Sequence, residues 1–276
     1  MPWYEHATGD RLWYEERGTG PAIVLVHGWC MSSAVWRLQL ESLSERFRVI
    51  APDLAGHGRS AQSADGHDFA RFVDDLSALF RHLDLADAIL AGWSLGGQVA
   101  LQAFGQLRDR LAGLVLISAT PRFTATEDFP CGLTPVEVDG MALKLRRNAA
   151  RALEGFTARM FSPGELDDPV QSTVIRDLLA AVPIPETSVA LQSLQSLAKA
   201  DMRHLLPAID CPAVIINGDR DLICLPDASA FLEQQIPNSR RVVMQGCGHA
   251  PFLTRNKEFD VCLADFSRRV CGSTIR

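Results

Sequence analysis

Residues 88–97 read Ala88-Ile89-Leu90-Ala91-Gly92-Trp93-Ser94-Leu95-Gly96-Gly97. The apolar run 88–92 predicts a strand buried on both faces, and 96–108 has the pattern of a helix. Between them stands Gly-x-Ser-x-Gly, the pattern of a nucleophile elbow, in which a sharp strand-to-helix turn projects the serine hydroxyl above a sheet. Small residues at 92 and 96 suit the close backbone approach of such a turn. The helix that follows brings N–H groups and a positive dipole end to the serine.

Outward from this point the same alternation recurs. Apolar runs at 22–27, 48–52, 113–118, 213–217 and 241–245 predict further buried strands. Stretches 33–46, 69–83, 226–235 and 256–270 predict helices, and residues 2–6 and 11–16 flank a Thr8-Gly9-Asp10 turn like an antiparallel hairpin. Strand–helix alternation implies an α/β fold, a mostly parallel central sheet covered by helices on both faces. The rhythm breaks between Ser118 and Ala213. There, apolar residues at 138, 141, 142, 145, 149, 152, 153, 156 and 160 recur at helical spacing, 169–181 follows in kind, and Pro183 and Pro185 precede a helix at 187–199. This predicts a core of 1–120 and 205–276 carrying a helical lid inserted at 121–204, over the sheet edge where open α/β sheets bind ligands.

A serine hydroxyl needs a base. Of the seven histidines, His249 lies in a loop after the last predicted strand, in the chain order Ser, acid, His expected of an elbow enzyme. The acid should follow the preceding strand, where Asp219 and Asp221 compete. The Gly-x-x-Asp position favours Asp221 and leaves Asp219 to cap or pair within the loop. The acid would orient the imidazole and stabilise its charged form without taking the proton. Ser94, Asp221 and His249 are the candidate catalytic residues. His27-Gly28-Trp29 follows the strand at 22–27, so the backbone N–H groups of Trp29 and Leu95 are candidates for an oxyanion hole, worth roughly 3–4 kcal/mol per donor. The glycine-rich loop Asp53 to Ser60 reads as structural.

With 276 residues, 47% hydrophobic and 22% charged, the chain has the balance of a globular enzyme. A net charge of −6 offers no global attraction for nucleic acid or anionic membrane. Residues 1–20 show no apolar signal core, and no apolar run approaches a bilayer span. The seven cysteines form no CxxC pair and no metal-finger spacing, so a reducing cytoplasm is the expected setting. Oligomeric state leaves no signature, and a monomer is the default expectation.

These motifs resemble the α/β-hydrolase superfamily along essentially the whole chain. The resemblance is nearest to the BioH-type pimeloyl-[acyl-carrier-protein] methyl ester esterases. It rests on His27-Gly28-Trp29 with Ala34-Val35-Trp36, the D-x-x-G-x-G-R-S loop at 53–60, and Gly92 to Gly97. It extends to Ser118-Ala119-Thr120-Pro121 through Phe123 to Pro130, to Pro183-Ile184-Pro185-Glu186, and to His249-Ala250-Pro251-Phe252. The resemblance implies hydrolysis of a methyl ester on a pimeloyl chain held by acyl carrier protein in biotin synthesis, with no metal or organic cofactor. Trp29, Phe123 and Phe156, with Phe129, are then expected along an acyl channel. Carrier proteins are acidic, and the lid carries Lys144, Arg146, Arg147, Arg151 and Arg159 against Glu154. Arg147 and Arg151 stand i,i+4, with Arg159 expected two turns further along the same face. Arg151 matches a family carrier-binding arginine, whereas Gly155 stands where a second is expected. The following segment is acidic, with Glu165, Asp167 and Asp168. A solvated helix face is the plainer reading of any single arginine. Alternatives on the same fold are a general short-chain carboxylesterase, a lactonase or a carbon–carbon hydrolase, and, from another class, a non-catalytic binding module.

Overall fold

A computed structural model describes residues 2–64 and 66–272. Eight strands form one sheet: β1 (Trp3–Glu5), β2 (Arg11–Arg17), β3 (Ala22–Val26), β4 (Arg48–Pro52), β5 (Ala88–Trp93), β6 (Leu111–Ile117), β7 (Ala213–Gly218) and β8 (Ser239–Met244). Their order is β1-β2-β4-β3-β5-β6-β7-β8. β1 and β2 pair antiparallel and β2 joins β4 antiparallel; every other pairing is parallel. Every residue of β3, β5 and β7 is buried, which is why these strands read as unbroken apolar runs. β8 begins at Ser239, ahead of its apolar run, with Arg240 and Arg241 on this edge strand, where charged side chains are common.

The flanking helices are α1 (Arg37–Leu43), α2 (Phe69–His82) and α3 (Leu95–Leu107) in the first half of the chain. Four more, α4 (Pro135–Arg147), α5 (Ala149–Arg159), α6 (Pro169–Ala180) and α7 (Thr187–Lys199), lie between β6 and β7. The last are α8 (Pro226–Gln235), α9 (Pro251–Thr254) and α10 (Asn256–Gly272). Residues 33–36, expected as part of a helix, form a 3-10 turn ahead of α1. Among the described residues, no helix is long and apolar enough to cross a membrane.

The helical periodicity from 138 to 160 conceals a break. Asn148 adopts φ −163 and ψ 96, ends α4 and caps α5 by accepting the Arg151 N–H at 3.0 Å. Asparagine favours this because its short side chain competes for backbone donors. α4 itself opens on a capping box in which Thr134 and Glu137 satisfy each other's backbone N–H groups.

Candidate active site

β5 ends at Trp93 and α3 begins at Leu95, leaving Ser94 alone between them at φ 55, ψ −116. A non-glycine residue there costs on the order of 1–3 kcal/mol and persists only when its surroundings hold it. Here the Ser94 N–H donates to the Ile117 carbonyl at 2.9 Å, and the Ser94 carbonyl accepts from Gly97 N–H at 2.9 Å. A Cβ on Gly92 would overlap the Gly96 carbonyl, and one on Gly96 would overlap the Val26 carbonyl. The glycines therefore set how tightly the turn packs on the sheet.

The two strands beyond β6 supply the partners. Asp221 follows β7 and His249 follows β8; both are buried. Asp221 Oδ2 lies 2.8 Å from His249 Nδ1, while Oδ1 accepts the N–H groups of Ile223 at 2.8 Å and Cys224 at 3.0 Å. Asp219 instead accepts the Cys247 N–H at 3.2 Å, so Asp221 is the aspartate that meets the imidazole. An Nδ1–H donated to a carboxylate leaves Nε2 as the acceptor of the ring. Nε2 is buried and makes no hydrogen bond to any described residue, Ser94 included. Hydrogen bonds of this kind commonly tighten only with substrate bound. Trp93 ties the two loops together, donating its indole N–H to the His249 carbonyl at 2.8 Å.

The Trp29 and Leu95 N–H groups donate to no other described residue, as an oxyanion hole requires. His27 holds the first of these loops. Its Nε2 accepts the Leu54 N–H at 3.1 Å, so its Nδ1 carries the proton and donates to the Gly28 carbonyl at 2.8 Å. Burial pulls His27 down to about 4, so it acts as a neutral strut. Asp53 accepts the N–H groups of Ser33 and Arg59, which fits the structural reading of its loop.

The aromatic residues divide. Trp29 is fixed by α7, its indole N–H shared between the Ala190 carbonyl and Ser193 Oγ at 3.1 Å each. Phe156 stands edge-on to it at 5.0 Å. Trp29, Phe123 and Phe156 line one small, enclosed pocket. On the other side of Phe156 opens an apolar groove of about 600 Å³, walled by Cys30, Met31, Leu153, Phe161 and Ile184 among others. Phe129 borders neither: it packs against Phe231 of α8 at 5.2 Å and under Arg203, as part of the foundation.

The basic residues also divide. The break at Asn148 puts Arg147 at the end of α4 and Arg151 in α5, so the expected single-helix face does not exist. Both are exposed, as are Lys144 and Arg146, and none of the four forms an ion pair with a described residue. Arg159 is committed elsewhere: it donates to Glu137 Oε1 at 2.9 Å and to the Leu222 carbonyl at 2.8 Å, tying α4 and α5 to the loop that carries Asp221.

Residues 21–256 match the family model of the alpha/beta hydrolase fold. The chain belongs to the α/β-hydrolase family. Among its α/β-hydrolase relatives, a pimeloyl-[acyl-carrier protein] methyl ester esterase of Nitrosomonas europaea is 33% identical over 253 residues, 90% of this chain and 96% of its own length. One of the same name from Nitrosospira multiformis is 31% identical, covering 93% and 98%. An α/β-hydrolase of known structure, an esterase from Exiguobacterium antarcticum, superposes with a TM-score of 0.89 at 26% identity, covering 96% of this chain and 98% of that one.

Two residues in this α/β-hydrolase site escape sequence reasoning. Cys224 is buried beside Ser94; burial first, and the Asp221 charge second, push its thiol well above the ordinary value. It is therefore a neutral neighbour of Ser94. Glu165 reads in sequence as one member of an acidic run, yet its carboxylate turns inward onto the histidine loop. No local pattern marks either, because both are defined by contacts to distant segments.

Proposed function

We propose that this α/β hydrolase is a serine carboxylesterase that cleaves the methyl ester of a pimeloyl chain carried on acyl carrier protein. Methanol leaves and the chain keeps a free carboxylate. The observation that carries the substrate is the similarity, at 33% identity over 90% of the chain, to an esterase of that name. The chemistry is supported by the Asp221–His249 pair at 2.8 Å beside a serine at the sharp turn between β5 and α3.

Ser94 Oγ attacks the ester carbonyl and His249 Nε2 takes its proton. The Trp29 and Leu95 N–H groups receive the developing negative charge. His249 returns the proton to the departing methoxide, forming methanol and an acyl-enzyme. Water, giving a proton to the same imidazole, then hydrolyses the acyl-enzyme and restores the Ser94 hydroxyl. The segment 121–204 acts as a lid, with the groove beside Phe156 taking the aliphatic chain. Arg147 and Arg151, exposed and without partner carboxylates among the described residues, dock the acidic carrier; Arg159 is left out of this set. The seven cysteines are free thiols, which suits a reducing cytoplasm.

The test compares the pimeloyl-carrier methyl ester with free dimethyl pimelate, for wild type and for Arg147→Glu/Arg151→Glu. Strong preference for the carrier ester, lost in the double variant while the free ester is spared, supports both parts. Equal cleavage of both esters with no effect of charge reversal makes this a general carboxylesterase.

A further inference from the structure

The stretch after α5, Met160 to Glu165, lies against the loop that carries His249. The His249 N–H donates to the Met160 carbonyl at 2.7 Å, and Ser162 Oγ donates to the Gly246 carbonyl at 2.9 Å. Glu165 uses both carboxylate oxygens: Oε2 accepts the Gly248 N–H at 2.8 Å and the Ser162 N–H at 2.7 Å, and Oε1 accepts Thr254 Oγ1 at 2.6 Å. From α6, Gln171 Nε2 donates to the Thr254 carbonyl at 2.6 Å. Gly248 has no space for a side chain, because a Cβ there would overlap the Met160 carbonyl. On its other flank the loop is held by the core, through Trp93 to the His249 carbonyl and through Cys247 N–H to Asp219. The base thus sits between the sheet and the segment proposed as the lid, and its own N–H and that of the preceding residue both point to the lid.

We infer that Glu165 is a positioning residue for His249: it fixes the backbone at 248 and the hydroxyl at 254 together, and so sets the register of the imidazole between Asp221 and Ser94. The inference rests on the serine-esterase reading above. A charge-assisted acceptor serving three donors on two segments is a stronger and more directional tie than packing alone. Displacing a catalytic group by about 1 Å costs on the order of 10²-fold in rate. The acyl groove is not lined by residues 246–254, so the effect should fall on kcat and spare KM.

The experiment measures kcat and KM on dimethyl pimelate for wild type, Glu165→Ala, Glu165→Gln and Thr254→Val. Each kcat is normalised to sites counted by covalent fluorophosphonate labelling. The expected result is a fall in kcat per labelled site on the order of 10²-fold for Glu165→Ala, with KM within about twofold. Glu165→Gln, which keeps one carbonyl acceptor, recovers part of the loss. Thr254→Val, which removes one donor at nearly constant volume, falls by a smaller factor and keeps the inference testable if Glu165→Ala does not fold. The downfield proton resonance of the His249–Asp221 hydrogen bond should shift or broaden in Glu165→Ala. Unchanged kcat per labelled site in Glu165→Gln and Thr254→Val overturns the inference, as does a loss carried entirely by KM. An inactive, unlabelled wild type overturns the esterase reading instead, a distinguishable outcome.

Discussion

Asp221 holds His249 with one carboxylate oxygen and its own loop with the other: Oδ2 meets the imidazole Nδ1 at 2.8 Å while Oδ1 accepts from Ile223 and Cys224. An asparagine cannot do both. If its carbonyl keeps the two backbone donors, its NH₂ faces Nδ1 and favours the tautomer with the proton on Nε2, which cannot receive one from Ser94. Asp221→Asn should therefore lower kcat on the order of 10⁴-fold, with the thermal midpoint little changed. Steady-state kinetics and a melting curve on the same sample check this; loss below tenfold would remove Asp221 from the mechanism.

Ser94 is the only hydroxyl at the turn between β5 and α3. Ser94→Ala should retain less than a thousandth of wild-type esterase activity and take up no fluorophosphonate. Intact-mass spectrometry should place the wild-type adduct on the peptide containing Ser94. An adduct that persists in the variant would assign the nucleophile elsewhere.

Arg159 and Arg151 sit on one helix, and the proposed function gives them different work. Arg159→Ala releases the Leu222 carbonyl, next to Asp221, and should slow carrier-bound and free esters alike. Each bond it loses is half-exposed and worth no more than about 1 kcal/mol, so a two- to fivefold effect is expected. Arg151→Ala should slow only the carrier-bound ester. Parallel kinetics on the two esters separate the roles, and a carrier-selective defect in Arg159→Ala would restore it to the docking face.

Stability should depend on pH through three buried groups. Burial pulls His57 down to about 3 and His27 to about 4, whereas burial lifts Asp75 to about 6 against the opposing charge of Arg71. Between pH 4 and 6 the unfolded chain protonates both histidines and the native state protonates neither. Asp75 does the reverse, holding a proton when folded and losing it on unfolding. The unfolded state thus binds one net proton more, and these groups should raise stability with pH by about 1.4 kcal/mol per unit. Relative to wild type, His57→Gln should make the slope shallower and Asp75→Asn should make it steeper. Urea denaturation at several pH values reads the slope directly, and a slope unchanged in His57→Gln contradicts the assignment.

The sheet, the elbow and the order of Ser94, Asp221 and His249 were legible because each depends on local pattern. Buried strands such as β3 and β5 are apolar throughout, and the turn at Ser94 admits only glycine at 92 and 96. The break at Asn148 was less visible: the apolar spacing runs through it almost unchanged, so only the capping preference of asparagine hints that Arg147 and Arg151 leave different helices. Phe129 and Phe156 are indistinguishable in sequence, yet one packs on α8 and the other on Trp29. Glu165 was the least legible. Its role is written in Gly248, Ser162 and Thr254, and no spacing within residues 160–168 records a contact to a loop some eighty positions later.

The sheet order has a consequence in time. Ser94 stands after β5, in the middle of the sheet, but Asp221 and His249 follow β7 and β8, the last two strands made. At roughly 5–20 residues per second, synthesis reaches His249 on the order of ten to thirty seconds after Ser94. If Ser94 is the nucleophile and His249 its base, a chain made only as far as α3 carries the serine without that base, and full esterase activity is expected only once β8 and the loop behind it are in place.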